Sequence, residues 1–137
     1  MRRKRVVILT ILAAVVIGAY IAVSGVKSYI RTLDANLKRL AELPVSDVDI
    51  SAIADGTYSG SYQVFPVAAE VRVTLRNHRI AEIELVKHRN GQGAPAEAIP
   101  GRVVEAQTLD VDTISGATYS SKVILKAIEN ALASAGK

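Results

Sequence analysis

From Val6 to Val26 the chain reads VVILTILAAVVIGAYIAVSGV without a charged residue. Coiled as a helix at about 1.5 Å per residue, this run spans the roughly 30 Å hydrocarbon core of a bilayer, which predicts a transmembrane helix. A rival reading is a cleaved signal peptide, with Ala22 and Ser24 as small residues near a cleavage site. The run exceeds the roughly 7 to 15 apolar residues of a typical signal core, which favours an uncleaved anchor. After it, Ile30, Leu33, Leu37 and Leu40 recur at spacings of three and four, with Arg31, Asp34, Lys38 and Arg39 between them. That is an amphipathic helix, read as a stalk continuing the anchor; the stripe is too short to specify a coiled coil, and a helix lying on its own domain or on the membrane accounts for it better. Pro44 and the segment VSDVDISA then act as a linker.

From Asp55 the period changes from helical to alternating. DGTYSGSYQVF alternates around Tyr58, Tyr62 and Val64; AEVRVTLRNHRI puts Val71, Val73 and Leu75 on one face; IAEIELVKH puts Ile80, Ile83 and Leu85 on apolar positions. Three strands are implied, with Asn77 and His78 as a tight turn joining the second and third into an antiparallel hairpin. HRNGQGAPAEAIPG, rich in Gly and Pro, is expected to be irregular, and GRVVEAQTL a short helix. SKVILKAIENALASAGK is apolar at Val123, Ile124, Ala127, Ile128, Ala131 and Leu132, a closing helix whose apolar face covers the sheet. The fold class expected is α+β: a transmembrane helix and stalk, then a small antiparallel sheet of about three strands covered by C-terminal helices. The expected divisions are a basic start at 1–5, the membrane helix at 6–26, stalk and linker at 27–54, and a head at 55–137.

Charge changes this picture at one end only. The formal charge is +4, and Arg2, Arg3, Lys4 and Arg5 account for it, because the remaining 13 basic residues balance 13 acidic ones. With basic character confined to that cluster, no Trp and a single Phe, a nucleic-acid partner loses its support. Lys and Arg beside a membrane segment are held on the cytoplasmic side, so the head is expected outside the cytoplasm. Lys27 and Arg31 on the far side weaken that asymmetry without cancelling it. The chain has no cysteine, which removes disulfides, thiolate catalysis and iron–sulfur ligation. Its two histidines, His78 and His88, lack the paired spacing of a zinc or haem site, so no protein-built metal centre is expected.

Chemistry concentrates in DVDTISGATYSS, small hydroxyl residues with one glycine and two acids, placed just before the closing helix. A helix start offers unpaired backbone N–H groups and a positive dipole end, so a phosphate there would meet Gly116, Ala117, Thr118 and the hydroxyls of Ser120 and Ser121. Gly116 allows a backbone angle closed to other residues. On residue types alone, such a stretch usually means a capped loop, with Ser120 or Ser121 as the N-cap. Likewise His88, alone at a strand end, reads as a surface residue. Gly91 and Gly93 form a G-x-G that lacks the context of a Rossmann fingerprint.

Taken together, the residues from Asp55 to about Leu132 resemble the FMN-binding domain found in subunits of the Rnf and sodium-translocating NADH:quinone oxidoreductase complexes and in small membrane-anchored electron carriers. The resemblance rests on the opening DGTYSG, the hairpin arm EIELVKH, the Gly-rich stretch after His88, and Asp112, Ser115, Gly116, Ala117 and Thr118 as D-x-x-S-G-A-T ahead of AIENAL. It implies that a flavin transferase using FAD and Mg2+ recognises this motif, that Thr118 takes FMN from FAD with release of AMP, and that Thr118 is a modified acceptor with no catalytic residue in the chain. By the same resemblance Asp112 belongs to the recognition pattern or is an ordinary capping aspartate. Ser115 binds the phosphate or shapes the turn. His88 borders the flavin ring, and Gly91 and Gly93 let the loop pass close to it. HRNGQGAP departs from the Glu-Thr-Pro-Gly loop of the large complexes, so the ring contacts do not carry over.

The function implied is an anchored FMN protein that passes electrons from a membrane reductase to an acceptor in the envelope or outside it. The chain is short for an added substrate domain, so an electron carrier and transferase substrate fits better than an independent enzyme. The alternative is a binding module that holds flavin noncovalently as a sensor or contacts envelope proteins.

Overall fold

The structure, a computed structural model, describes residues 2–89, 91 and 93–136. It divides into two compact units, one reaching to Ala35 and one beginning at Asn36. Helix α1, Arg2–Ala41, opens the chain. In the first unit its apolar side chains, Val6, Leu9, Ile17 and Ile21 among them, are exposed, and the helix is long and apolar enough to cross a membrane once. Of the amphipathic stripe, Ile30 is exposed, Leu33 and Leu37 are half-buried and Leu40 is fully buried. The second unit takes in the last turns of α1 and the segment after them, with Leu40, Leu43, Ile50 and Ile53 in its core.

The sheet of this second unit has three antiparallel strands in the order β1 (Gly56–Val64), β2 (Val67–Arg76), β3 (Arg79–Arg89). The expected Asn77–His78 turn is present, both residues at positive φ (53° and 56°), the backbone twist that suits a two-residue hairpin. Asp55 locks it: its carboxylate accepts the N–H groups of Asn77 at 2.7 Å and His78 at 3.0 Å. Phe65–Pro66, a cis peptide, joins β1 to β2, and Asn36 donates to the Phe65 carbonyl at 3.1 Å. On β2 the buried positions are Val67, Ala69, Val71, Val73 and Leu75, as alternation requires. β3 departs from strict alternation. Ala81 is extra between the Leu75–Ile80 and Thr74–Glu82 pairs, and Val86 is extra between Val71–Leu85 and Glu70–Lys87.

Two helices complete the head. α2 is Ile99–Ala106, starting earlier than GRVVEAQTL suggested, and a 3-10 helix, Ala94–Ala98, precedes it. The stretch expected to be irregular therefore contains ordered turns: its prolines fall at first-turn positions, where a missing N–H costs nothing. Asn90 and Gln92 of that stretch lie outside the described residues. α3, Thr118–Ser134, covers the inner face of β1 and β2, and Val123, Ile124, Ala127, Ile128, Ala131 and Leu132 are buried as the pattern required. The crossing with β1 is backbone to backbone. A Cβ at Gly60 would lie 2.2 Å from the Ala127 carbonyl oxygen and 2.3 Å from the Ala131 nitrogen, so only glycine fits.

Candidate functional site

Residues 107–117 connect α2 to α3 without regular structure, and each end of this loop is fastened. At its start Gln107 adopts the left-handed conformation (φ 57°), which ends α2. Its side-chain amide accepts from Ile80 N–H at 2.9 Å and donates to the Ile80 carbonyl at 2.9 Å and to the Val104 carbonyl at 2.6 Å. Next, Asp47 accepts the Thr108 hydroxyl at 2.7 Å and the Leu109 N–H at 3.0 Å. Those two bonds, the Leu109 one foremost, hold the Asp47 carboxyl below its ordinary range by stabilising the charged form. Between the ends, Arg102 reaches the Asp112 carbonyl at 3.4 Å.

At its end the loop turns into α3. Gly116 has φ 78°, a conformation that favours glycine, and Ala117 N–H donates to the Ile114 carbonyl at 2.9 Å. Ser121 does the fastening: its hydroxyl accepts the Ile114 N–H at 3.0 Å and donates to the Ala117 carbonyl at 2.8 Å. The expected cap is thereby corrected. Helix α3 starts at Thr118, with Ala117 at the cap position and no side-chain cap, because Ser120 and Ser121 lie within the first turns and are buried. An α-helix leaves its first N–H groups without intrahelical acceptors, so the start of α3 presents those of Thr118, Tyr119 and Ser120 with no side-chain cap among the described residues.

Burial sorts the hydroxyls of the motif. Ser120 is 2% exposed and Ser121 0%, whereas Thr118 is half-exposed and Ser115 exposed, like Gly116 and Asp112; Ala117 is buried. Thr118 and Ser115, with Thr113 and the phenol of Tyr119, are therefore the hydroxyls of this stretch that are not buried.

His88 lies elsewhere than a lone strand-end histidine suggests. The extra residue Val86 turns its ring inward opposite Ala69, its side chain is 3% exposed, and Nδ1 stands 3.1 Å from Glu97 Oε1. Glu97 belongs to the 3-10 helix, which packs on α3 and begins after Gly93, a buried residue; Gly91 is exposed at φ 55°. Asp112, Ser115, Gly116, Ala117, Thr118 and Ser120 are thus gathered at one end of α3. His88, Gly91 and Gly93 form a second group between β3 and α2. Sequence reasoning missed Asp47, Gln107 and Glu97. Each acts through hydrogen bonds to distant segments, which no periodicity or motif announces.

A phosphate-bearing group suits the first of these groups, since a reachable hydroxyl adjoins uncapped backbone donors at the positive end of a helix dipole. Residues 67–133 match the FMN-binding domain family, from the start of β2 to the last turn of α3, leaving β1 and Asp47 outside. An uncharacterized protein of Treponema pallidum (strain Nichols) is 30% identical over 124 residues, 88% of this chain and 34% of that protein. NADH:acrylate oxidoreductase of Vibrio harveyi is 41% identical over 69 residues, 48% of this chain and 7% of that protein. The chain therefore spans about a third of the first relative's length and a small part of the second's. Residues 67–133 thus carry the likeness to the FMN-binding domain family, and the cofactor that this match indicates is FMN.

Proposed function

We propose that this chain is a membrane-anchored electron carrier whose FMN is joined to the Thr118 hydroxyl by a phosphoester bond. One observation carries the reading: Thr118 is the reachable aliphatic hydroxyl on the first turn of α3, with Ser120 and Ser121 buried beside it. In the attachment step Thr118 Oγ1 gives up its proton and bonds to the FMN phosphorus of FAD, and AMP leaves with the electrons of the broken pyrophosphate bond. A flavin transferase with Mg2+ supplies the base and neutralises the pyrophosphate. Once bonded, the phosphate is held by the N–H groups at the start of α3, including that of Ser120, and by the Ser115 hydroxyl. Gly116 and Ala117 keep the approach uncrowded, and Asp112 serves recognition by the transferase. His88, Gly91 and Gly93 border the ring.

Bound flavin supplies the redox chemistry, and the protein sets its exposure and surroundings. The basic cluster Arg2–Arg5 keeps its side of the membrane cytoplasmic, so the head lies outside, where a dissociable FMN would be lost by dilution. Electrons then come from a membrane reductase and pass to an envelope or extracellular acceptor. The likeness to a small part of an NADH:acrylate oxidoreductase fits a carrier module whose partner reactions lie on other domains or proteins.

Intact-protein mass spectrometry after coexpression with a flavin transferase tests this. The chain is expected to gain one FMN less one water, to fluoresce on a denaturing gel, and to lose both properties in Thr118→Val. Unlabelled wild-type chain despite active transferase, FAD and Mg2+ would sink the covalent reading and leave a module that holds flavin noncovalently.

A further inference from the structure

The acceptor loop is fastened at its end by Ser121 and at its start by Gln107, both within the matched segment, and just past Gln107 by a residue outside it. Residues 43–48 form a strap laid across α3: Lys122 donates to the Leu43 carbonyl at 3.2 Å, Lys126 to the Pro44 carbonyl at 3.4 Å, and Ser46 N–H to Glu129 at 3.1 Å. The strap ends on Asp47, which takes the Thr108 hydroxyl and the Leu109 N–H at once. Thr108 passes the constraint on, because its hydroxyl also accepts the Asp110 N–H at 3.0 Å. Leu109 is 2% exposed, anchored in the core, and its carbonyl accepts Val111 N–H at 2.9 Å. The chain is thus fixed from residue 108 to residue 111, immediately ahead of Asp112.

We propose that Asp47 is a positioning residue for flavin attachment, holding the start of the loop so that Asp112 to Thr118 is presented in the conformation the transferase accepts. The inference rests on the reading of Thr118 as acceptor. A loop without regular structure that is fastened at one end samples many conformations, and each unfixed residue adds an entropic cost to ordering it. Fastening both ends leaves a short span to be ordered by the transferase. When only a fraction of molecules holds the competent form, the apparent affinity falls by that fraction while the bound complex reacts as before. Asp47 therefore acts on KM and leaves kcat alone. A carboxylate does this better than a neutral acceptor because hydrogen bonds to an ionised group are the stronger ones.

The test uses the full chain in detergent with a flavin transferase, FAD and Mg2+, following covalent flavin by mass and in-gel fluorescence. Asp47→Ala is expected to raise the transferase KM for the chain about tenfold with kcat unchanged. Hydrogen exchange at residues 108–114 should quicken in parallel. Thr108→Val cuts the same link from the loop side and should act in the same direction. Asp47→Asn keeps an acceptor for Leu109 and should recover most of the loss. Ile128→Val removes a buried methylene from α3 and should lower stability without moving KM. Wild-type KM in Asp47→Ala, or an equal rise in Ile128→Val, would overturn the inference while leaving Thr118 as acceptor. Absence of label on the wild-type chain would instead remove the reading beneath it.

Discussion

Gln107 holds the peptide of Ile80 from both sides, its Oε1 accepting the N–H and its Nε2 donating to the carbonyl, each at 2.9 Å. β3 is an edge strand, and at Ile80 a side-chain amide stands where a fourth strand would supply a peptide. Gln107→Ala strips both partners from a residue only 2% exposed. Stability of the head should fall by about 2 kcal/mol or more, seen as a lower midpoint in urea. Gln107→Gly relaxes the positive φ but should lose nearly as much, which separates the amide bonds from backbone strain.

Gly60→Ala tests the close crossing of β1 and α3. Its methyl group would meet the helix backbone at 2.2 to 2.7 Å, and neither element can retreat without opening the core at Ala127 and Ala131. A loss of about 3 kcal/mol or more is expected in thermal or urea unfolding. A change within about 0.5 kcal/mol would mean that α3 docks less closely than the geometry indicates.

Acid should loosen the head by a defined route. The carboxyls of Asp47 and Asp55 are held below their ordinary value, the first chiefly by the Leu109 N–H and Thr108 hydroxyl, the second by the His78 and Asn77 N–H groups. Groups with depressed folded-state values contribute fully above their unfolded value and lose that contribution as pH falls through the folded one. Tm should therefore be insensitive to these two carboxyls at neutral pH and decline below about pH 4. In Asp47→Asn and Asp55→Asn the decline should be shallower, each removing its own part.

Among the hydroxyls, Ser115→Ala should leave the covalent flavin on Thr118, and Thr118→Ser should retain labelling because it keeps the oxygen nucleophile. Peptide mapping decides between them. Flavin recovered on Ser115 in Thr118→Val would move the acceptor by three residues and reassign the role of the turn at Gly116.

Protease added to intact spheroplasts should remove the head, as the basic cluster at residues 2–5 requires. Survival of the head while a known external protein is digested would reverse the orientation.

Much of this was legible beforehand. Asn77–His78 announced its turn because few dipeptides accept left-handed backbone twice, and Val71, Val73 and Leu75 announced their face because β2 is regular. What escaped notice depends on pairing between strands or on contacts distant in sequence. Alternation from Leu85 puts His88 on the wet face, and the extra residue at Val86 puts it inside. Ser120 and Ser121 have the composition of a cap, yet helix α3 already begins at Thr118 and uses Ser121 to hold Ile114. Asp47 looks like any acid in a polar linker until Thr108 and Leu109 are brought beside it.

The two unpaired residues of β3 also bear on how chains of this kind can differ in length. Neither Ala81 nor Val86 has a partner on β2, so a strand lacking either would still set Ile83 opposite Val73 and His88 opposite Ala69. Omission of a paired residue, such as Lys87, would shift everything beyond it to the opposite face. Between Ile80 and His88, then, the number of residues separating two positions does not decide whether they share a side, and β3 can shorten at those two points while presenting the same inner surface.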